Sequence, residues 1–207
     1  MRRLGEFEKA IEIYQEIQLI ITHSKFCDYD YDIYAWVGLA FCYSQLSFID
    51  ETNKYLQLIE EFLVSKLDVE PMQVVFSRLP TLASTYRNLG NYELAFKLYQ
   101  KSLFYAQHSQ FIKIQIESFN GLTQLYYEQG KLKEALSHHL KAIELSEKIG
   151  DKANLAEAYY QGGITYLLMG ETEKSLVCRH KALKFFIEME APKQIERVNK
   201  AFGGNIQ

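Results

Sequence analysis

Apolar side chains recur along this chain at spacings of three and four residues, the pattern of helices that bury one face. The segment after Gly130 shows this helical periodicity clearly, at Leu132, Ala135, Leu136, His139, Leu140 and Ile143. Leu122, Leu125 and Tyr126 continue it on the other side of the glycine. Because no stretch has the strict alternation of a half-buried strand, the sequence predicts an all-α fold.

The helical segments are separated by turns that recur along the chain. Four segments align with one another, LGEFEKAIEIY, LGNYELAFKLY, QGKLKEALSHH and MGETEKSLVCR, and each has a glycine at its second position. These glycines are Gly5, Gly90, Gly130 and Gly170, and a fifth turn falls at Ser47. The turns are then spaced by 42, 43, 40 and 40 residues, which predicts a repeat protein built from stacked helical pairs.

The residues around these turns resemble the tetratricopeptide repeat, which has W-x2-L-G-x2-Y before a glycine turn and A-x3-F after it. The fourth repeat matches at Phe119, Leu122, Thr123, Tyr126, Gly130, Leu132, Ala135, His139 and Ala142. The second matches at Trp36, Leu39, Ala40 and Tyr43, and the third at Leu82, Ala83, Tyr86, Gly90, Tyr92, Ala95 and Tyr99. The resemblance implies an α-α superhelix, or solenoid, of antiparallel helix pairs, with repeats of 40 or more residues rather than 34.

The turn positions predict one domain over residues 1–207. It comprises a truncated first repeat (1–24), four repeats at about 30–66, 71–108, 111–149 and 152–190, and a capping helix at 192–202. In the first repeat we expect Phe7, Ile11 and Tyr14 to form an open flank that packs on upstream repeats or on another chain. In the third repeat Pro80 predicts a kink or break between about Phe76 and Pro80.

Composition narrows the classes of partner and compartment. The chain has a net charge of -3, which favours neither nucleic acid nor anionic lipid as a partner. Its apolar runs are shorter than the roughly 18 residues that cross a bilayer, and no secretory signal precedes the first repeat. Cys27, Cys42 and Cys178 are too far apart for a disulfide framework or a paired zinc site. We therefore expect a cytoplasmic protein with reduced, structural thiols.

Two groups of residues are candidate metal sites, an adjacent pair of histidines and a cluster of three aspartates. His138 and His139 are adjacent, so they point about 100° apart on a helix, and no ligand follows one turn later; a packing role for His139 is favoured over a metal site. Asp28, Asp30 and Asp32 lack the glycine and the distal glutamate of a calcium loop. No phosphate-binding loop or nucleophile motif occurs. The sequence therefore predicts no enzyme activity, no cofactor and no metal.

The first helices of the repeats are expected to line the concave face of the solenoid, where such proteins bind their partners. Between its packing positions this face would carry Tyr34, Val37, Phe41, Ser84, Arg87, Asn120, Gln124, Tyr127 and Tyr160. Amides, a guanidinium and rigid aromatic rings suit an extended peptide, although exposed amides are also simply solvated.

The resemblance, together with this face, predicts a scaffold or adaptor that binds a peptide segment or a partner protein as part of a larger protein or complex. The alternative is a regulatory peptide-sensing module of a bacterial signalling protein, since long repeats joined by turns such as Lys148 to Asp151 are similar to those of such regulators. Members that bind chaperone tails use a clamp of lysine, asparagine and arginine. Val37, Phe41, Pro80 and Ser84 stand at the comparable positions here, which disfavours that function.

Overall fold

The computed structural model describes residues 2–23, 30–65 and 73–203. Within these ranges the regular elements are ten α-helices, which confirms the predicted all-α fold. They are α1 (Arg2–His23), α2 (Asp30–Gln45), α3 (Ile49–Ser65), α4 (Gln73–Asn88), α5 (Tyr92–His108), α6 (Ile112–Glu128), α7 (Leu132–Ile149), α8 (Lys152–Leu168), α9 (Thr172–Glu188) and α10 (Pro192–Gly203). Helices α2 and α3, α4 and α5, α6 and α7, and α8 and α9 are pairs joined by short turns.

The chain divides into two compact units, Met1–Tyr105 (unit 1) and Ala106–Gln207 (unit 2). Unit 1 contains α1 to α4 and most of α5, and unit 2 contains the end of α5 and α6 to α10. We describe each unit by itself. The single domain over 1–207 and its repeat boundaries remain a prediction.

The turns inside the repeats share one backbone geometry. Ser47, Gly90, Gly130 and Gly170 all have positive φ angles, of 61°, 78°, 72° and 75°. At Gly90 the amide bonds to the Arg87 carbonyl and the next amide bonds to the Tyr86 carbonyl, the two hydrogen bonds of a Schellman motif. The same pair of bonds occurs at the other three turns. Ser47 therefore occupies the position of the turn glycine, as the repeat spacing predicts.

Gly5 does not form such a turn, because α1 begins at Arg2 and runs through it. The flank that was expected to be open is instead packed against the rest of unit 1. Ile11 is buried in the core of unit 1, Phe7 packs edge-on against Phe41, and Tyr14 packs against Gly38 of α2. The exposed apolar side chains of α1 are Ile13, Leu19 and Ile20. The three residues of the predicted flank thus stabilise unit 1 from within.

The core of unit 1 surrounds α2, which contacts α1, α3 and α4. Its side chains Ile33, Leu39 and Ala40 are buried, and Trp36 meets Phe62 of α3 edge-on. A helix with neighbours on three sides needs apolar residues nearly all round. Cys42 is also buried and unbonded, as a structural thiol should be, and burial raises its pKa to about 11.

The break predicted between about Phe76 and Pro80 does not occur, and the kink given as its alternative remains a prediction. Helix α4 is continuous from Gln73 to Asn88 with Pro80 inside it. Proline removes one backbone donor, but Leu79, Pro80, Leu82 and Ala83 are all buried, and that packing offsets the lost hydrogen bond. Residues 71 and 72, where the third repeat is predicted to begin, lie outside the described residues.

The core of unit 2 depends on side chains that pack against small residues of the next helix. Ala135, Ala142 and Ala182 are fully buried, as their repeat positions predict. Gly163 of α8 faces Phe202 of α10, and an added Cβ would lie 2.8 Å from the Phe202 ring. Val198 and Phe202 place α10 on α8 and α9, where it covers their apolar sides.

Phe202 should therefore anchor α10. Replacing it by alanine removes a ring that is 4% exposed, so Phe202→Ala should lower the free energy of unfolding by about 3–5 kcal/mol. Phe111→Ala is the matched control, because Phe111 is 37% exposed and its loss should cost less than about 1 kcal/mol. Urea unfolding followed by circular dichroism measures both values. A similar loss in the two variants would contradict the anchoring role.

Candidate functional site

The side chains of α6 divide into a buried set and a half-buried set. Ile116, Phe119 and Leu122 are buried in unit 2. Asn120, Gln124 and Tyr127 are half-buried, and their spacing of four and three residues places them on one side of the helix. This side is the one predicted to bind a partner.

The period of 40 residues places three α8 side chains at equivalent positions: Tyr160, Ile164 and Leu167 are also half-buried. We call these six residues, on α6 and α8 together, the first-helix face of unit 2. The beginnings of α6 and α8 border one surface depression of about 740 Å³, lined by residues 110–114 and 149–152. The two helices therefore start side by side.

Some of the polar side chains on this face form hydrogen bonds within the protein and others do not. Gln124 donates from Nε2 to Oε1 of Glu128, 3.0 Å away and one turn further along. Asn120 and Tyr127 form no hydrogen bond with any residue that the structure describes. The amide of Asn120 and the hydroxyl of Tyr127 can therefore donate to and accept from a ligand.

Beside the α8 part of the face lies Arg197 of α10, a residue that the sequence did not predict. Arg197 of α10 forms an ion pair with Glu157, and its guanidinium lies over the Tyr160 ring, 4.3 Å from the centroid. Tyr160 also meets Phe202 edge-on at 6.3 Å. Arg197 follows Glu157 by one period of 40 residues, and continuing the repeat register into α10 would have found it.

Unit 1 holds the other predicted face residues, and they do not form one exposed surface. Val37 is 1% exposed and belongs to the core of unit 1, so its assignment to the binding face is wrong. Phe41 is half-buried against Phe7, at 6.1 Å between ring centroids. Tyr34 is half-buried beneath the guanidinium of Arg78.

The polar face residues of α4 are tied into local hydrogen bonds. Ser84 shares a hydrogen bond of 2.8 Å with the Tyr99 hydroxyl. Arg87 donates to the Asn88 side chain at 3.2 Å, and Asn88 in turn donates to Ser44 of α2 at 2.9 Å. These bonds link α4 to both α2 and α5 and give Ser84 a structural role.

The adjacent histidines have different environments. His139 is 2% exposed and packs on Gly162, where an added Cβ would lie 2.5 Å from Nε2; this confirms the packing interpretation. Burial lowers the pKa of His139 to about 4, against a smaller opposing effect of the Ala158 backbone and of Glu157. His138 is half-buried, because its ring stacks on those of Tyr126 and Phe119, with 5.4 and 5.9 Å between the ring centroids.

The side chains that commonly bind metal ions do not cluster in the described part of the chain. There, no group of three or more histidine, cysteine, aspartate or glutamate side chains is placed to hold a metal ion. Asp28 lies outside the described residues.

None of the helices described has the length and hydropathy that crossing a membrane requires. The absence of enzyme activity, cofactor and metal, and the cytoplasmic location, remain predictions.

Two tetratricopeptide-repeat family models match the chain, over residues 115–187 and 81–104. Together with the repeated turns and helix pairs, these matches show that the chain belongs to the tetratricopeptide-repeat family, in a form with repeats of about 40 residues. The fold is accordingly an all-α tetratricopeptide-repeat solenoid. A comparison with curated protein sequences gave no match.

Solved structures of low sequence identity share the fold. BtubC (BKLC) from P. vanneervenii is 21% identical with a TM-score of 0.70, over 91% of this chain and 76% of that one. Aspartyl phosphate phosphatase F from Bacillus subtilis is 14% identical with a TM-score of 0.75, over 99% and 54%. Bacillus thuringiensis PlcR, in complex with the peptide PapR7 and DNA, is 17% identical with a TM-score of 0.71, over 95% and 74%.

The buried His139 predicts a pH-dependent stability. An unfolded histidine titrates near pH 6.5 and His139 near 4, so between these values the unfolded chain binds more protons and acid favours unfolding. The contribution of the neutral His139 to the free energy of unfolding is complete above pH 6.5 and falls by about 3 kcal/mol as the pH drops to 4. His139→Leu, which copies Leu56 at the equivalent position, should remove this part of the pH dependence.

Urea unfolding of the wild type and His139→Leu at several pH values between 4 and 7.5 measures the difference. His180→Gln is the control, because His180 is exposed and its replacement should leave the pH profile unchanged. If the wild type and His139→Leu lose stability in parallel as the pH falls, His139 is not buried as described.

Proposed function

We propose that the chain is a protein-interaction module that binds an extended peptide segment of a partner protein across the first-helix face of unit 2. The observation that carries the proposal is the pair of half-buried polar groups on α6, the Asn120 amide and the Tyr127 hydroxyl, without a hydrogen bond to any described residue. Polar groups that are partly withdrawn from water favour a partner that completes their hydrogen bonds.

An extended peptide supplies what these groups need. Its backbone has a donor and an acceptor at every residue, and an asparagine amide can pair with both. Tyr160, Ile164 and Leu167 add apolar area at the equivalent positions of α8, and a rigid aromatic ring loses little conformational entropy on binding. Hydrogen bonds from α6 would set the register of the peptide, and α8 would bind its apolar side chains.

A regulatory peptide sensor is the second candidate. PlcR, a structure of the same fold, was solved with the peptide PapR7 and DNA, which motivates this function. A sensor would change the packing between its repeats when the peptide binds, whereas a scaffold would keep it. Solution scattering with and without a bound peptide separates the two, because only a sensor should change its radius of gyration.

The test replaces the two amides of α6. Asn120→Ala with Gln124→Ala should weaken peptide binding by about 1–3 kcal/mol, or roughly 5- to 150-fold in Kd, if both side chains bond to the ligand. The ligand is a synthetic 12-residue peptide selected on the wild-type chain from a random display library. Calorimetry measures the affinity, and urea unfolding checks that the variant folds.

Glu144→Ala with Lys148→Ala is the matched control, since both residues are exposed on α7 and the pair carries no net charge. It should bind the peptide with wild-type affinity. Failure of the library to yield any binding peptide, or equal affinities of the wild type and the α6 double variant, would contradict the proposed face.

A further inference from the structure

Arg78 of α4 departs from the pattern of the repeats. It stands twelve residues before Gly90, and the residues twelve before Ser47, Gly130 and Gly170 are Ala35, Ser118 and Ala158. Those three side chains are small and buried. A guanidinium at a position that otherwise carries a small packing residue is not explained by the repeat architecture.

The surroundings of Arg78 hold its guanidinium in place without neutralising it. The Cζ atom lies 3.7 Å from the centroid of the Tyr34 ring on α2. The Nε atom is buried and has no hydrogen-bond partner, and Arg78 forms no ion pair with a described side chain. The Tyr34 ring contacts only the flat face of the guanidinium. The N–H groups around the edge of the guanidinium can still donate hydrogen bonds to an acceptor.

The two helices that form the Arg78–Tyr34 stack supply no carboxylate that pairs with Arg78. The described side chains of α2 and α4, residues 32–45 and 75–88, include one carboxylate, Asp32, and two guanidiniums, Arg78 and Arg87. Burial raises the pKa of Asp32, and Arg78 does not contribute to that shift, so Asp32 is not the counter-ion of Arg78. Arg78 therefore has no carboxylate partner among the described side chains of α2 and α4.

We propose that Arg78, stacked on Tyr34, binds the side-chain carboxylate of an aspartate or glutamate in a segment of a partner protein. A carboxylate accepts two parallel N–H bonds from the edge of one guanidinium, and the ring below fixes the plane of that edge. A single cation suits a single carboxylate. A nucleic acid is disfavoured because the chain as a whole carries a net charge of -3.

The site rests on the proposed function, since it assumes a peptide ligand, but it lies in unit 1 and uses none of the residues of the unit 2 face. The two proposals can therefore fail separately. Loss of the α6 amides should lower the affinity for all peptides. Loss of Arg78 should remove only the preference for acidic ones.

The experiment compares two matched libraries of acetylated and amidated dodecapeptides, one with glutamate fixed at the sixth position and the other with glutamine there. Blocked termini leave the side chain as the fixed carboxylate. We expect the wild-type chain to bind the glutamate library at least tenfold more tightly. Arg78→Gln should abolish this preference, and Arg78→Lys should retain part of it, because lysine keeps the charge but not the planar fork.

Lys54→Gln is the control for charge alone, since Lys54 is exposed on α3 in the same unit and its loss should preserve the preference. A second readout needs no variant: the Nε–Hε NMR resonance of Arg78 should shift on titration of the wild type with the selected glutamate peptide and not with its glutamine counterpart. This measurement decides the case if Arg78→Gln does not fold.

Three outcomes overturn the proposal. The glutamate and glutamine libraries bind equally, or neither binds; the preference survives in Arg78→Gln; or the Arg78 resonance does not move. A single-stranded oligonucleotide that shifts the Arg78 resonance at lower concentration than the glutamate peptide would also overturn it, in favour of nucleic acid.

Discussion

Side chains with rings, packed against glycines of the next helix, are the contacts on which both units depend. Tyr14 of α1 packs against Gly38 of α2, and His139 of α7 packs against Gly162 of α8. In each case any added Cβ would overlap the ring, so the ring occupies space that only a glycine leaves open. Because the ring and the glycine come from different repeats, each contact also fixes how one helix pair stacks on the next.

This stacking determines which side chains remain available for binding. Rings and small residues occupy the sides of the first helices that meet their neighbours, and the remaining side of α6 carries Asn120 and Gln124, whose positions recur in α8 after one period of 40 residues. The Schellman turns give each repeat the same connection between its two helices, because each turn uses one residue of positive φ and the same two hydrogen bonds. A face with a regular spacing is suited to an extended chain, which also repeats regularly.

The sequence predicted the fold well because repeated copies report the same constraint several times. Ser47 was assigned to the turn from spacing alone, and its φ of 61° agrees. The candidate site was predicted less completely. Val37 was misplaced because a repeat pattern does not show how far round α2 the core of unit 1 extends, and Arg197 was missed because the register was not continued into α10. Arg78 has no counterpart in the other copies, so a search for shared positions could not find it.

The central claim is that a partner segment lies along the first helices and not along the second helices of unit 2. A paramagnetic label on the selected peptide tests it most directly, since such a label broadens the resonances of nearby amides. The account predicts broadening at Asn120 and Tyr160, with sharp signals at Leu140 of α7 and Val177 of α9, two exposed apolar residues of the second helices. Broadening at Leu140 and Val177 with sharp signals at Asn120 and Tyr160 would contradict it.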